Sequence, residues 1–293
     1  MSSHPELAAG VIHDIGYRRY DGPRLGRWHA ARAVFVHSLR GVYGIGRPAR
    51  AKVLPFLLVA IIGAPALISG ALSALTPLPH IPYANYAYYL QIAIMVFLAA
   101  QAPQVVTGDI RFRTLSLYFS RPLERADYVW AKLAALAMGL LALLAAPLLV
   151  IYLAVLLSHT HSVSDALDET GRLLVGLAGV AVHTLLLAAI GMAISAFTRV
   201  RAFAVVGIVG LYLVTSSVAA IVGGVTRASD VAAAFALASP FSLLDGFQAW
   251  ALRVPAASPL EPGHLGWAYG LVVAADLALA AAILQWRYRR IES

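Results

Sequence analysis

Apolar residues dominate six stretches of the chain, each long enough to cross a membrane. About 20 apolar residues in a helix, at 1.5 Å per residue, cover roughly 30 Å of hydrocarbon. The pattern therefore predicts an all-α membrane protein with six transmembrane helices. The predicted spans are residues 53–75, 88–106, 133–157, 172–198, 203–225 and 267–286, within a transmembrane domain over 52–286. Residues 1–51 and 287–293 are predicted to be cytoplasmic segments on either side of that domain.

Basic residues lie mainly on one side of the predicted membrane. Of the 22 Lys and Arg residues, 19 lie in residues 1–52, in residues 287–293 or in the connections over 107–132 and 199–202. The other side carries only Arg172, Arg227 and Arg253. Because basic loops stay in the cytoplasm, we expect both termini to be cytoplasmic in a multi-pass protein of the plasma (inner) membrane. The net charge of +8 therefore indicates orientation, and no nucleic-acid partner is expected.

Composition narrows the classes of function. Hydrophobic residues make up 60% of the chain, charged residues only 12%, and the mean hydropathy is +0.78, which suits lipid as the solvent. The chain has no Cys, which excludes disulfides and a thiolate nucleophile. It also lacks GxxxxGK[ST], GxSxG and HExxH motifs. We therefore expect no enzyme activity and no cofactor on this chain.

A helical pattern precedes the first span. Apolar residues recur at spacings of three and four from Trp28 to Val42, while Arg32, His37 and Arg40 lie elsewhere on the helix. This pattern predicts an amphipathic helix in the cytoplasmic membrane interface. A soluble helix packed on a partner is the alternative.

The external stretch before the last span is too apolar for an ordinary loop. Residues 229–250 are interrupted at Ser239, Pro240 and Gly246, so they are too short and broken to cross the membrane twice. We expect a pair of helices that partly re-enters the membrane before the sixth span. A helical cap outside the pore is the alternative.

Another external connection, after the third span, contains potential metal ligands. They are His159, His161, Asp165, Asp168 and Glu169. His-x-His with nearby carboxylates can bind a divalent metal. Because the spacing specifies no fourth ligand, we interpret this segment as a solvated polar loop and predict no metal site.

Within the predicted spans, two side chains could titrate near neutrality, His183 in the fourth and Asp276 in the sixth. Either is costly in lipid, so each is expected to face protein or water, and the two could pair. They could form a polar patch in a translocation pathway or a proton relay. Alternatively, they could stabilise helix packing through a hydrogen bond or an ion pair.

The predicted cytoplasmic loop over 107–132 contains an ordered set of small and charged residues. The set consists of Asp109, Thr114, Leu115, Ser120, Pro122, Arg125, Tyr128 and Lys132. This order resembles the corresponding loop of ABC-2 type transporter permeases, the transmembrane subunits of bacterial ABC exporters, although Arg113 stands where the family often has Gly. The predicted topology is similar along the whole chain, as is the N-terminal segment with Tyr17, Arg18, Tyr20, Gly22, Pro23 and Arg24.

The resemblance implies a permease that forms the translocation pathway as a dimer with an identical or related chain. The first and fifth spans would meet across that dimer. A separate ABC ATP-binding subunit, present in two copies, would bind ATP and Mg²⁺ and drive export. The loop over 107–132 would dock on this subunit as a coupling helix. Its candidate contact residues are Asp109, Arg111, Arg113, Thr114, Ser120, Arg121, Pro122 and Arg125.

Two other functions remain as alternatives. An ion-gradient-driven secondary transporter would be expected to contain paired inverted repeats, and no internal similarity between the two halves is evident. A membrane subunit with no role in transport is the other alternative. The sequence does not identify the cargo.

Overall fold

The computed structural model describes residues 22, 25–76, 78–111, 123–159, 162–225, 229–258 and 263–290. These residues form ten α-helices and one short 3-10 helix, Gly263–Leu265, and contain no strand. The helices are α1 (Arg27–Val42), α2 (Arg50–Leu75), α3 (Tyr86–Tyr89), α4 (Gln91–Arg111), α5 (Arg125–His159), α6 (Val163–Ala196), α7 (Arg201–Val225), α8 (Ser229–Ala236), α9 (Pro240–Ala251) and α10 (Gly266–Arg290).

Six of these helices are long and apolar enough to cross a membrane: α2, α4, α5, α6, α7 and α10. This confirms the predicted all-α membrane protein with six spans. The helix α1, the end of α4, the start of α5 and the end of α10 lie at one end of the bundle, termed the inner end. Charge predicts that this end is cytoplasmic. The opposite, outer end contains α3 and the connection between α5 and α6.

The spans differ in how much of their surface the protein itself covers. In α4 and α6, 67% and 56% of the most apolar window are buried, whereas in α2, α7 and α10 only 28%, 17% and 22% are buried. The central helices α4 and α6 thus form the core, and α2, α7 and α10 lie at its edge. Their exposed apolar side chains can contact lipid or another transmembrane chain, because lipid is as apolar as a protein core.

The polar segment after the third span is mostly helical, contrary to the predicted loop. The helix α5 continues to His159, and α6 already begins at Val163. Ser162 caps α6: its hydroxyl accepts from the Asp165 N–H, and the Asp165 carboxylate accepts from the Ser162 N–H. This capping box explains why α6 starts so early. Asp165, Asp168 and Glu169 therefore lie on the first turns of α6, whereas His161 lies outside the described residues.

The helix predicted before the first span is present as α1, and it packs against α4 and α5. Its buried face consists of Val34, Ser38 and Val42. Val42 belongs to the predicted apolar stripe, whereas Val34 and Ser38 each precede a residue of that stripe, Phe35 and Leu39. The Tyr43 hydroxyl donates to the Gly139 carbonyl at 2.7 Å. Trp28 is 79% exposed. One face of α1 thus packs on the protein. Contact of its exposed face with the membrane interface stays a prediction.

The external apolar stretch forms the two expected helices, α8 and α9, which are bent by 117° relative to each other. Pro240 occupies the start of α9, where its missing N–H has no intrahelical partner to lose. The Phe241 ring lies 5.3 Å from the Tyr212 ring on α7 and 5.4 Å from the His183 ring on α6. Tyr212 lies about 16 Å along α7 from its inner end. The start of α9 thus reaches the middle of the bundle, although entry into the membrane stays a prediction.

Candidate coupling site between α4 and α5

The structure describes both edges of the predicted coupling loop. Asp109 lies in the last turn of α4, which ends at Arg111, and Arg125 begins α5. The other predicted contact residues lie outside the described residues: Arg113, Thr114, Ser120, Arg121 and Pro122. Their role in docking stays a prediction, and the geometry of the site comes from its edges.

A buried ion pair joins the two edges of the loop. The Lys132 ammonium, on a residue only 5% exposed, pairs with Asp109 and also donates to the Val105 carbonyl. The Tyr128 hydroxyl donates to the same Asp109 carboxylate at 2.5 Å. Both pairs, Val105 with Asp109 and Tyr128 with Lys132, are four residues apart, so each pair lies on one face of its helix. Hence the end of α4 is bound to the start of α5 immediately beside the loop.

The helix α1 is bound to the same place through Arg27. Its guanidinium forms an ion pair with Glu124 and two contacts with Asp127, Nη2 to Oδ1 at 2.9 Å and Nε to Oδ2 at 2.6 Å. The hydrogen bond to Asp127 is the main cause that raises the pKa of Arg27. Asp127 also lies in the first turn of α5, where a carboxylate interacts favourably with the helix dipole. Two acidic residues thus orient α1 against the point where the loop enters α5.

The end of α10 completes the assembly. Arg125 donates from Nη1 to the Arg289 carbonyl at 2.8 Å. The buried Tyr288 ring lies 5.6 Å from the Tyr128 ring. We term the whole assembly the loop-base cluster, defined as Arg27, Asp109, Glu124, Arg125, Asp127, Tyr128, Lys132 and Tyr288.

The loop-base cluster connects four helices and suits the transmission of movement. A displacement of the residues between α4 and α5 would move both helices together, since separating Asp109 from Lys132 leaves a buried charge without its partner. Through Arg27 and Arg125 the same displacement reaches α1 and α10. Coupling of this kind requires packed and paired side chains that link elements into one unit.

The two intramembrane ionisable residues occupy different surroundings. His183 is buried, and its Nδ1 lies 3.3 Å from Gln248 Nε2 on α9. Asp276 on α10 is half-buried. Within the described part of the chain no hydrogen bond or ion pair joins His183 to Asp276, so the pairing considered from the sequence is not observed. The contact with Gln248 favours the packing interpretation for His183.

Sequence reasoning missed Arg27, Glu124, Asp127 and Tyr288 as members of this site. Arg27 counted only as one of many basic residues of the inner end. A weak signal exists for Asp127, because acidic residues are frequent in the first turn of a helix. The partners themselves are far apart in sequence, and only the fold brings them together.

Comparison with known families agrees with this architecture. A family model described as ABC-2 family transporter protein matches residues 26–289. No curated protein sequence matches the chain. The family match spans from the residue before α1 almost to the end of α10, so it includes all six spans and the whole loop-base cluster. The chain therefore belongs to the ABC-2 family of transporter proteins.

Proposed function

We propose that this chain is the permease of an ABC exporter, in which ATP hydrolysis on two copies of a separate ATP-binding subunit moves α4 and α5. The family makes the chain a multi-pass permease of an ABC transporter and implies association with an ABC ATP-binding subunit. The direction of transport, the copy number and the route of coupling are our proposal. The observation that carries it is the loop-base cluster.

The cluster supports coupling through the loop because its contacts hold the two edges of the loop together, so that movement of one edge is expected to move the other. Lys132 binds Asp109 and the Val105 carbonyl, so it contacts α4 at two levels. Breaking a buried ion pair by removing one partner costs about 3–5 kcal/mol. A force applied by an ATP-binding subunit to the loop is therefore expected to shift α4 and α5 as one body, with α1 and α10 following through Arg27 and Arg125.

A dimer of permease chains is supported by the uneven burial of the spans. The first and fifth spans, α2 and α7, are together with α10 the least buried of the six spans. The surfaces of α2 and α7 are free to contact a second permease chain, identical or related, while lipid covers the remainder. The pathway would then run between the two chains.

The orientation follows from charge. The inner end contains α1, the loop edges and the end of α10, where Arg287, Arg289 and Arg290 lie in the last turn. Such a concentration of basic residues favours a cytoplasmic location in the plasma membrane. Because no P-loop motif occurs in the sequence, ATP and Mg²⁺ are expected on the partner subunit.

The decisive experiment is to co-express the permease with the ATP-binding subunit that is encoded next to it in the genome. The complex is purified through a tag on the permease, and ATP hydrolysis is measured in lipid nanodiscs. We expect a stable complex with ATPase activity. Combined Arg121→Glu and Arg125→Glu substitutions should reduce stimulated hydrolysis by at least about tenfold, because reversed charges oppose docking. Arg199→Glu, an exposed charge reversal in the turn between α6 and α7, is the matched control and should have little effect.

Two results would contradict the proposal. Failure of any ATP-binding subunit to co-purify would favour a non-transport membrane subunit. Normal stimulation in the double variant would remove the loop from the docking surface. An Arg121→Glu single variant separates docking from the internal contact with the Arg289 carbonyl, because it leaves Arg125 and its hydrogen bond in place.

A further inference from the structure

The outer end of the bundle contains a cavity of about 660 Å³, here termed the outer cavity. It lies between the segment that follows α2, the first turns of α6 and the segment that follows α9. Its polar lining includes His80, Tyr83, Asp168, Arg172 and Arg253, and its apolar lining includes Pro82, Val175 and Val254. Cavities of this size with apolar walls and a few convergent polar groups are typical of small-molecule sites.

Two opposite, solvent-exposed charges line this cavity. Among the described residues, neither Asp168 nor Arg253 forms a hydrogen bond or an ion pair, and they do not pair with each other. Arg172, which also lines the cavity, differs in that its Nη1 lies 3.4 Å from Glu169 Oε2. Arg253 is also notable as one of only three basic residues predicted for the outer end.

The α6 side of the cavity is held in place by a buried carboxylate. Glu169 is only 5% exposed. Its carboxylate accepts a hydrogen bond from the Tyr83 hydroxyl, and its Oε1 lies 3.5 Å from His80 Nε2. Burial, and then the hydrogen bond to Glu169, raises the pKa of Tyr83, so its hydroxyl remains a donor at neutral pH. The wall that carries Asp168 is thus already ordered before a ligand arrives.

The opposite wall is held by Asp245 and contains a strained residue. The buried Asp245 carboxylate accepts from the Ala257 N–H at 3.0 Å and from the Ser258 N–H at 2.8 Å. These bonds attach the segment after α9 to α9 itself. Within that segment Arg253 has a φ of 54°, in the left-handed region that a residue other than Gly adopts only at a cost in energy. Arg253 directly follows Leu252, the C-cap of α9, where a left-handed residue commonly ends a helix and fixes the direction in which the chain leaves it.

We propose that the outer cavity binds the polar end of an amphiphile that carries both an ammonium group and a phosphate or carboxylate group. Asp168 would bind the ammonium, and Arg253 would bind the anionic oxygens, for which its planar guanidinium is well suited. The apolar lining would contact the adjoining hydrocarbon part of the ligand. A membrane lipid and an exported amphiphile can share this chemistry. The proposal goes beyond the proposed function, and binding can be measured without any ATP-binding subunit.

Isothermal titration calorimetry of the purified permease in an uncharged maltoside detergent tests this proposal. The probes are dihexanoyl phosphatidylethanolamine, its phosphatidylglycerol counterpart without an ammonium group, and free phosphoethanolamine. We expect saturable binding of the phosphatidylethanolamine probe and weaker binding of the phosphatidylglycerol probe. Binding of phosphoethanolamine would extend the site to small zwitterions, whereas its failure to bind would support an amphiphile held partly by its apolar chains.

Substitutions then separate the two charges. Asp168→Asn should bring the affinities for the two lipid probes together, whereas Arg253→Gln should weaken both by at least about tenfold. Arg253→Gly removes the guanidinium and suits the left-handed backbone conformation, so it should weaken binding as Arg253→Gln does, without lowering the thermal midpoint. Arg32→Gln, an exposed change on α1, is the matched control and should bind as the unmodified protein does.

The proposal is overturned if the unmodified permease shows no saturable binding of the phosphatidylethanolamine probe. It is also overturned if Asp168→Asn and Arg253→Gln bind this probe as tightly as the unmodified protein. The Arg253→Gly variant excludes misfolding as the cause of a loss, because it is expected to remain at least as stable.

Discussion

The two ends of this permease use their charges in opposite ways. At the inner end, the charges form pairs: Asp109 binds Lys132, and Arg27 binds Asp127. At the outer end, the exposed Asp168 and Arg253 line one cavity, and neither pairs with another residue that the structure describes. Paired charges join helices into one unit, as coupling to a second subunit requires, whereas charges left open to solvent can recognise a ligand. The contrast shows that the count of charged residues at a membrane face says less than their pairing.

The largest expected effect is at the buried pair of the inner end. Lys132→Met should lower the free energy of unfolding by about 3 kcal/mol, because it leaves Asp109 without its cation. Thermal unfolding in detergent would measure the change. If the pair is the cause, the additional change Asp109→Asn should cost much less in the Lys132→Met background than in the unmodified protein. Equal costs in both backgrounds would show that the pair does not join the two helices.

A change of intermediate size is expected at the wall of the outer cavity. A Cβ at Gly176 would lie 2.5 Å from Tyr83 Cβ and 3.3 Å from its carbonyl carbon, so Gly176→Ala should displace the ordered segment and cost about 1–3 kcal/mol. Gly171→Ala, on the same helix with no neighbour within 4 Å, should instead stabilise by about 0.5–1 kcal/mol. Thermal midpoints of the two variants should therefore move in opposite directions. A shift of the same sign would contradict the ordered wall.

The smallest effect is expected at the rim of the loop-base cluster. Arg27→Gln removes the ion pairs with Glu124 and Asp127. Because the Arg27 side chain is 45% exposed, solvent screening should keep the loss of stability well below that of Lys132→Met. The matched change Arg32→Gln on the same helix should be close to neutral. Urea unfolding of both variants would compare them, and a loss at Arg27 as large as that at Lys132 would contradict the distinction between rim and buried pair.

Local patterns were sufficient to predict the six spans, because apolar length is a property of continuous segments, whereas the orientation inferred from the basic loops stays a prediction. They failed where partners are distant. Gln248 was not predicted to contact His183, since α9 does not span the membrane on its own. The capping box at Ser162 was overlooked because polar residues such as Asp168 suggested a loop. Nothing in the local sequence around Arg27 indicates that it binds Asp127 a hundred residues away.

The length of α5 has a mechanical consequence. Its 35 residues extend over roughly 52 Å, well beyond the hydrocarbon of a bilayer. Lys132 lies near one end of α5, and Tyr152 lies near the other. The Tyr152 hydroxyl is 2.9 Å from Oγ1 of Thr170, a residue close to the wall of the outer cavity. The helix can therefore act as a lever: a tilt of roughly 5° about its midpoint would swing each tip by roughly 2 Å. A displacement of the loop between α4 and α5 could in this way be transmitted to Thr170, on the opposite side of the membrane.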